Sequence, residues 1–119
     1  MPFNHNQCSY CGSGMRISKL TCGECGLSHG GEFHTPRLYR LDTEDQRFIE
    51  LFVLASGSLK RMAELLKVSY PTVRGRLDTL IGKLENEKQQ DEKHKLKILE
   101  DIETGRIPAK QGMRMIDAI

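Results

Sequence analysis

The chain is expected to be mainly α-helical with a small β zinc ribbon at its N-terminus, and three observations lead there. Two copies of one short cysteine unit, CSYCG (Cys8, Cys11, Gly12) and CGECG (Cys22, Cys25, Gly26), lie within the first 26 residues. From residue 43 onward, apolar residues recur at helical rather than strand spacing. Serine, proline and glycine fall where helices start and stop.

Each C-x-x-C lets two thiolates reach one ion from a tight turn. The glycine that follows takes φ > 0 without strain, so nearby amide N–H groups can point at the sulfurs. Four thiolates in a closed tetrahedron suit structural Zn²⁺ and leave no position for water or substrate. Iron fits the same four-sulfur set. A dithiol redox pair would need a βαβ setting that the sequence lacks, and a disulfide framework belongs to exported proteins. His5, His29 and His34 lie nearby and read as surface residues, because four cysteines complete the site. MRISKL (residues 15–20) suits a strand, and GEFHTPRLYRL after Gly30 and Gly31 suggests a second extended piece. Residues 1–40 thus form one unit, with Cys8, Cys11, Cys22 and Cys25 as metal ligands.

Residues 41–84 read as three helices. In LDTEDQRFIELFVLASG, Thr43 and Gln46 have the capping-box spacing. Phe48, Ile49, Phe52 and Ala55 form the apolar stripe, widened by Leu51 and Leu54, and Gly57 ends the helix. Ser58 caps the second helix, which buries Leu59, Met62, Ala63 and Leu66. Ser69 caps the third, and Pro71 falls in its first turn, where a missing N–H removes no intrahelical bond. At about 100° per residue, Val73, Leu77, Leu80, Ile81 and Leu84 share the buried face. The opposite face carries Pro71, Gly75, Thr79 and Gly82, with Asp78 beside them, Arg74 and Arg76 flanking Gly75, and Thr72 and Lys83 at its edge. A strip of small residues bordered by basic ones permits close approach to an anionic partner, as when a helix lies in the major groove. A merely solvated face and a groove for another helix are the two other readings.

GSLKRMAELLKVSYPTVRGRL therefore has the shape of a helix-turn-helix. It resembles those of bacterial response-type and Fis-like regulators and the promoter-reading region of sigma factors. That resemblance implies double-stranded DNA contacts at Ser69, Tyr70, Thr72, Arg74, Arg76 and Lys83. The two knuckles, a Gly-Glu-Phe segment and LDTEDQRFIELFVLASGSLKRMAELLKVSYPTVRGRLDTLI together resemble a family of small bacterial proteins known as domain of unknown function 2089. The resemblance implies a cytoplasmic bacterial protein that joins a zinc ribbon to a helix-turn-helix. Two departures stand out: Ser9 where such knuckles often carry proline, and Gly75 where a longer polar residue is usual.

Residues 85–95, ENEKQQDEKHK, contain no apolar residue and read as a charged extension of the third helix or a linker. Asp91 to Lys95 is a favourable i,i+4 pair, whereas Glu87 to Asp91 repels. Residues 96–119 read as a helical hairpin. Leu99 and Ile102, with Ile98 beside them, make one face. Gly105 is the cap, Ile107 sits in the turn, and Pro108 starts a helix with Met113, Ile116, Met115 and Ile119 on its apolar side. The hairpin resembles C-terminal hairpins of bacterial proteins that mediate association, with Gly112 in place of their usual alanine. A homodimer through this hairpin and packing on the protein's own helix-turn-helix are both open.

The net charge is +2, and residues 41–81 carry six basic and six acidic side chains, so bulk charge alone does not argue for nucleic acid. No apolar run approaches a membrane span, and the N-terminus has no signal-peptide pattern. The pattern points to a DNA-binding transcriptional regulator. An adapter that binds RNA polymerase or another protein, and an antitoxin-like autorepressor, are the alternatives. No nucleophile, carboxylate pair or phosphate loop points to an enzyme.

Overall fold

The computed structural model describes residues 6–119; His5 lies outside them. A two-stranded antiparallel sheet is followed by four α-helices, and one helix dominates the shape. The molecule extends 55 × 39 × 30 Å.

Strands β1 (Lys19–Thr21) and β2 (Ser28–Gly30) pair in the register Leu20 with His29. The second cysteine unit is the turn of this hairpin. The expected strand over 15–20 is thus confined to its last residues and Thr21. The first cysteine unit closes a smaller loop through a bridge between Gln7 and Gly14. After Gly31 the expected extended piece does not continue. Pro36 instead leads a 3-10 turn, Arg37–Arg40, whose Tyr39 N–H bonds the Pro36 carbonyl at 2.9 Å.

Helix α1 spans Thr43–Leu54, and its cap is Asp42 rather than Thr43: the Asp42 carboxylate accepts from the Asp45 N–H at 2.8 Å. Gln46 does not complete a capping box. Its amide donates to the carbonyls of Leu41 and Tyr39, fixing the chain's entry into the helix. Asn6 donates to the same Leu41 carbonyl and ties the first cysteine loop to this junction. Helix α2 (Leu59–Leu66) is capped by Ser58 and followed by Lys67 in the left-handed conformation. Helix α3 then runs without a break from Tyr70 to Glu103, capped by Ser69 and with Pro71 in its first turn. The charged run 85–95 is the middle of this helix and not a linker.

The core is Leu41, Phe48, Ala55, Met62, Ala63, Val73 and Leu80, with Ile49, Leu51, Phe52, Leu59, Leu66, Leu77 and Leu84 packed around it. Met62 and Val73 are fully enclosed. Leu54 and Ile81, expected inside, are exposed.

Helix α4 (Ala109–Asp117) folds back on the end of α3 after Gly105, which adopts φ +79°. Gly112, the buried residue of α4, lies against Ile98 and Ile102 of α3. Leu99 and Met113, expected in this contact, point outward. The periodicity located the helices, but it could not show that close approach at a glycine would set their rotation. The Ala118 carbonyl accepts from the Thr35 N–H at 3.3 Å, so the hairpin touches the N-terminal segment rather than the apolar core of α1, α2 and the first part of α3.

The charged middle of α3 is not merely solvated. Asp91, only 4 % exposed, accepts two bonds at 2.5 Å from Arg40 and one at 3.0 Å from Arg37. Arg40 Nε also lies 3.4 Å from Glu87, without hydrogen-bond alignment. Arg40 therefore lies between the two carboxylates whose i,i+4 spacing would repel, and Asp91 is spent on arginines rather than on Lys95. This cluster fastens the 3-10 turn to α3. Among the described residues no helix is long and apolar enough to cross a membrane.

Candidate functional site

The two cysteine units fold alike. In the first, the Cys8 N–H bonds the Ser13 carbonyl at 2.8 Å and the Gly12 N–H bonds the Cys8 carbonyl at 2.8 Å. In the second, the Cys22 N–H bonds the Leu27 carbonyl at 2.7 Å and the Gly26 N–H bonds the Cys22 carbonyl at 3.1 Å. Gly12 and Gly26 adopt φ +76° and +77°, a conformation that disfavours any side chain. The Tyr10 N–H points at Cys8 Sγ, 3.4 Å away. Hydrogen bonds from the Ser13 side chain, the Ser13 N–H and Cys8 hold the Cys11 thiol below its ordinary range. The Cys25 and Glu24 N–H groups, then the Cys25 side chain, do the same for Cys22.

In each pair one thiol, Cys11 or Cys22, is thus shifted toward thiolate, the form that binds metal. The four thiols stay unpaired as disulfides. The structure brings Cys8 to Cys11 and Cys22 to Cys25. Among the described residues no three or more Cys, His, Asp or Glu side chains converge on one point. His29 and His34 are exposed.

The outward face of α3 is open. A Cβ added at Gly75 or Gly82 would meet nothing within 4 Å. The Thr79 hydroxyl is turned back onto the Gly75 carbonyl at 3.1 Å, so the strip stays low. The basic residues around it each have a partner. Arg74 pairs with Asp78 at 3.3 Å, one helical turn on. The Arg76 guanidinium lies over the Phe48 ring, 5.2 Å from its centroid. Lys83 bonds Asp45 at 2.7 Å and lies 3.9 Å from Asp42, and these carboxylates raise its pKa. Lys83 is therefore a clasp between α3 and the start of α1.

Ser69 is the helix cap, bonded to the Thr72 N–H at 3.3 Å and the Thr72 hydroxyl at 2.8 Å. Tyr70 is 52 % exposed at the helix start. Spacing on one helix could not reveal these cross-helix partners, because Phe48 and Asp45 belong to α1. Lys60, Arg61 and Lys67, exposed on α2 and its turn, add basic charge that the sequence reading did not single out.

A cleft of about 710 Å³ lies between the N-terminal segment, α3 and α4, lined in part by Met15, Phe33, Gln90, His94 and Met115. It lies apart from the α3 strip, and its one buried carboxylate, Asp91, is committed to Arg37 and Arg40.

No curated protein and no solved structure matches the chain. A family model described as "Domain of unknown function (DUF2089)-HTH" matches residues 41–87, the segment that spans α1, α2 and the first half of α3. Residues 41–87 are thus similar to the helix-turn-helix part of domain of unknown function 2089, the family that the sequence resembles.

Proposed function

We propose that the protein is a DNA-binding transcriptional regulator that lays the outward face of α3 in the major groove. The observation that carries this reading is the open strip of Pro71, Gly75, Thr79 and Gly82, bordered by Arg74 and Arg76, inside a segment that matches a helix-turn-helix family. Tyr70, Thr72, Arg74 and Arg76 then make the contacts, while Ser69 and Lys83 shape and brace the helix. Releasing Arg74 from Asp78 costs at most about 0.5 kcal/mol, since exposed i,i+4 pairs contribute little. Moving Arg76 off Phe48 costs about 0.5–1 kcal/mol. A phosphate or a guanine edge offsets both.

The donor chemistry of the knuckles fits Zn²⁺ held by Cys8, Cys11, Cys22 and Cys25, and iron suits the same set. The ion would join the two knuckles and fix the N-terminal unit, a structural role. Cytoplasmic location and association of two copies belong to the same proposal, because two protomers double a modest phosphate contact. A binding protein, not an enzyme, is the reading.

The test is the double variant Arg74→Ala, Arg76→Ala in a DNA titration across salt. Two lost phosphate contacts predict weaker binding and a log–log salt slope shallower by about 2. Unchanged affinity and slope would sink the proposal. One observation favours a protein-binding adapter instead. Val53, Leu54 and Leu65 are 67 %, 70 % and 54 % exposed on α1 and α2, apolar surface that DNA would not need. Partner capture lost on Leu54→Ser, without DNA binding in either form, would select that reading.

A further inference from the structure

Besides its buried face and its open strip, α3 has a third flank. At about 100° per residue, Ile81, Glu85, Lys88, Glu92, Lys95 and Leu99 lie along it. The buried line of Val73, Leu80, Asp91 and Ile98 is roughly a quarter-turn away. All six flank residues are exposed except Lys95, which is half-buried. Ile81 and Leu99 are 41 % and 48 % exposed, and Leu96, 66 % exposed, borders the same end. Among the described residues these side chains stay open to solvent.

The flank is complementary to itself in one orientation. With a second copy antiparallel and the register centred on Gln90, Glu85 faces Lys95 and Lys88 faces Glu92. Ile81 meets Leu99 at both ends. Every charged position meets the opposite sign, and every apolar position meets an apolar one. The 3–4 spacing of these six residues is the spacing that keeps two helices in register along a seam. A parallel copy would instead set Glu85 on Glu85 and Lys88 on Lys88, which repels.

We infer that two copies of the chain associate side by side and antiparallel through this flank of α3. The contact lies beside the C-terminal hairpin, whose inner faces are already used in packing α4 on Ile98 and Ile102. It does not depend on the DNA-binding reading, since no residue of the Arg74 and Arg76 border takes part.

The seam is largely charged and partly solvated, so the dimer is weak and sensitive to salt. Sedimentation of the full zinc-loaded chain from micromolar to millimolar concentration should show a reversible monomer–dimer equilibrium. An acidic variant (Lys88→Glu, Lys95→Glu) and a basic variant (Glu85→Lys, Glu92→Lys) should each self-associate about tenfold more weakly or worse, from four like-charge pairs. An equimolar mixture of the two should regain dimer. In the unmutated protein, carbodiimide should join Glu85 to Lys95. Ten residues on one helix separate these groups by about 15 Å, so a zero-length link can form only between copies. A wild-type chain monomeric throughout, a mixture no better than its parts, or absence of the Glu85–Lys95 link would overturn the inference.

Discussion

Gly75 and Gly112 both sit inside helices, and their surroundings give opposite expectations. Gly75 faces open space, so Gly75→Ala should stabilise the fold by about 0.8–1 kcal/mol, the ordinary helical preference for alanine. Thermal unfolding of the variant checks this. If the strip is an interface, the same variant should lose affinity while gaining stability. Gly112 faces Ile102 and Ile98, and a Cβ there would overlap Ile102 Cδ1 and Cγ1. Gly112→Ala should therefore destabilise the hairpin despite its propensity gain, because overpacking costs about 1–3 kcal/mol. Gly75 could be placed on an outer face from spacing alone. The role of Gly112 could not, because the sequence does not say which turn of α3 it will touch.

At the scale of elements, α3 joins the core it shares with α1 and α2 to the hairpin as one rod, and Asp91 fastens the N-terminal segment to its middle. Burial alone would raise the Asp91 carboxyl. The bonds from Arg40 and Arg37, with their charges, outweigh it and hold the pKa below its ordinary value. A lowered carboxyl pKa contributes stability that is fully present above the unfolded value of about 3.9 and is lost as pH falls through the folded one. The wild type should therefore lose this contribution only in acid, below about pH 4. The stability difference between wild type and Asp91→Asn, measured by denaturant unfolding across pH, should shrink in that range. Asp91→Ala at neutral pH should cost about 2 kcal/mol or more, less than a fully buried pair because Arg37 is 40 % exposed. Ser58, Ser69 and Pro71 declared their helix starts in the sequence, since capping is local chemistry. Asp91 was hidden, because a search for apolar periodicity sees only solvated charge in ENEKQQDEKHK, and its partners lie more than fifty residues away.

At the scale of the whole molecule, the chain divides its supports. Helices α1, α2 and the first part of α3 rest on a shared apolar core, whereas β1 and β2 are three residues each and exposed throughout. The metal proposed for the four cysteines would supply the support that such a unit lacks. Chelation should therefore change the amide spectra of residues 7–31 while leaving the helical circular dichroism nearly unaltered. Loss of the helical signal would mean that the N-terminal unit carries more of the fold than its burial implies. The thiol pairs were legible from C-x-x-C-G spacing, because that spacing dictates the turn. The partners of Arg76 and Lys83 were not, because Phe48 and Asp45 lie on α1, and they show where basic side chains of a charge-balanced unit are held.

Whether α3 reads DNA is decided by selection from a random duplex pool, with zinc-loaded protein at two salt concentrations. If α3 lies in the major groove, one motif should be enriched and should persist at the higher salt, with weaker overall binding. Capture without enrichment that vanishes at higher salt, or no capture at all, would contradict it.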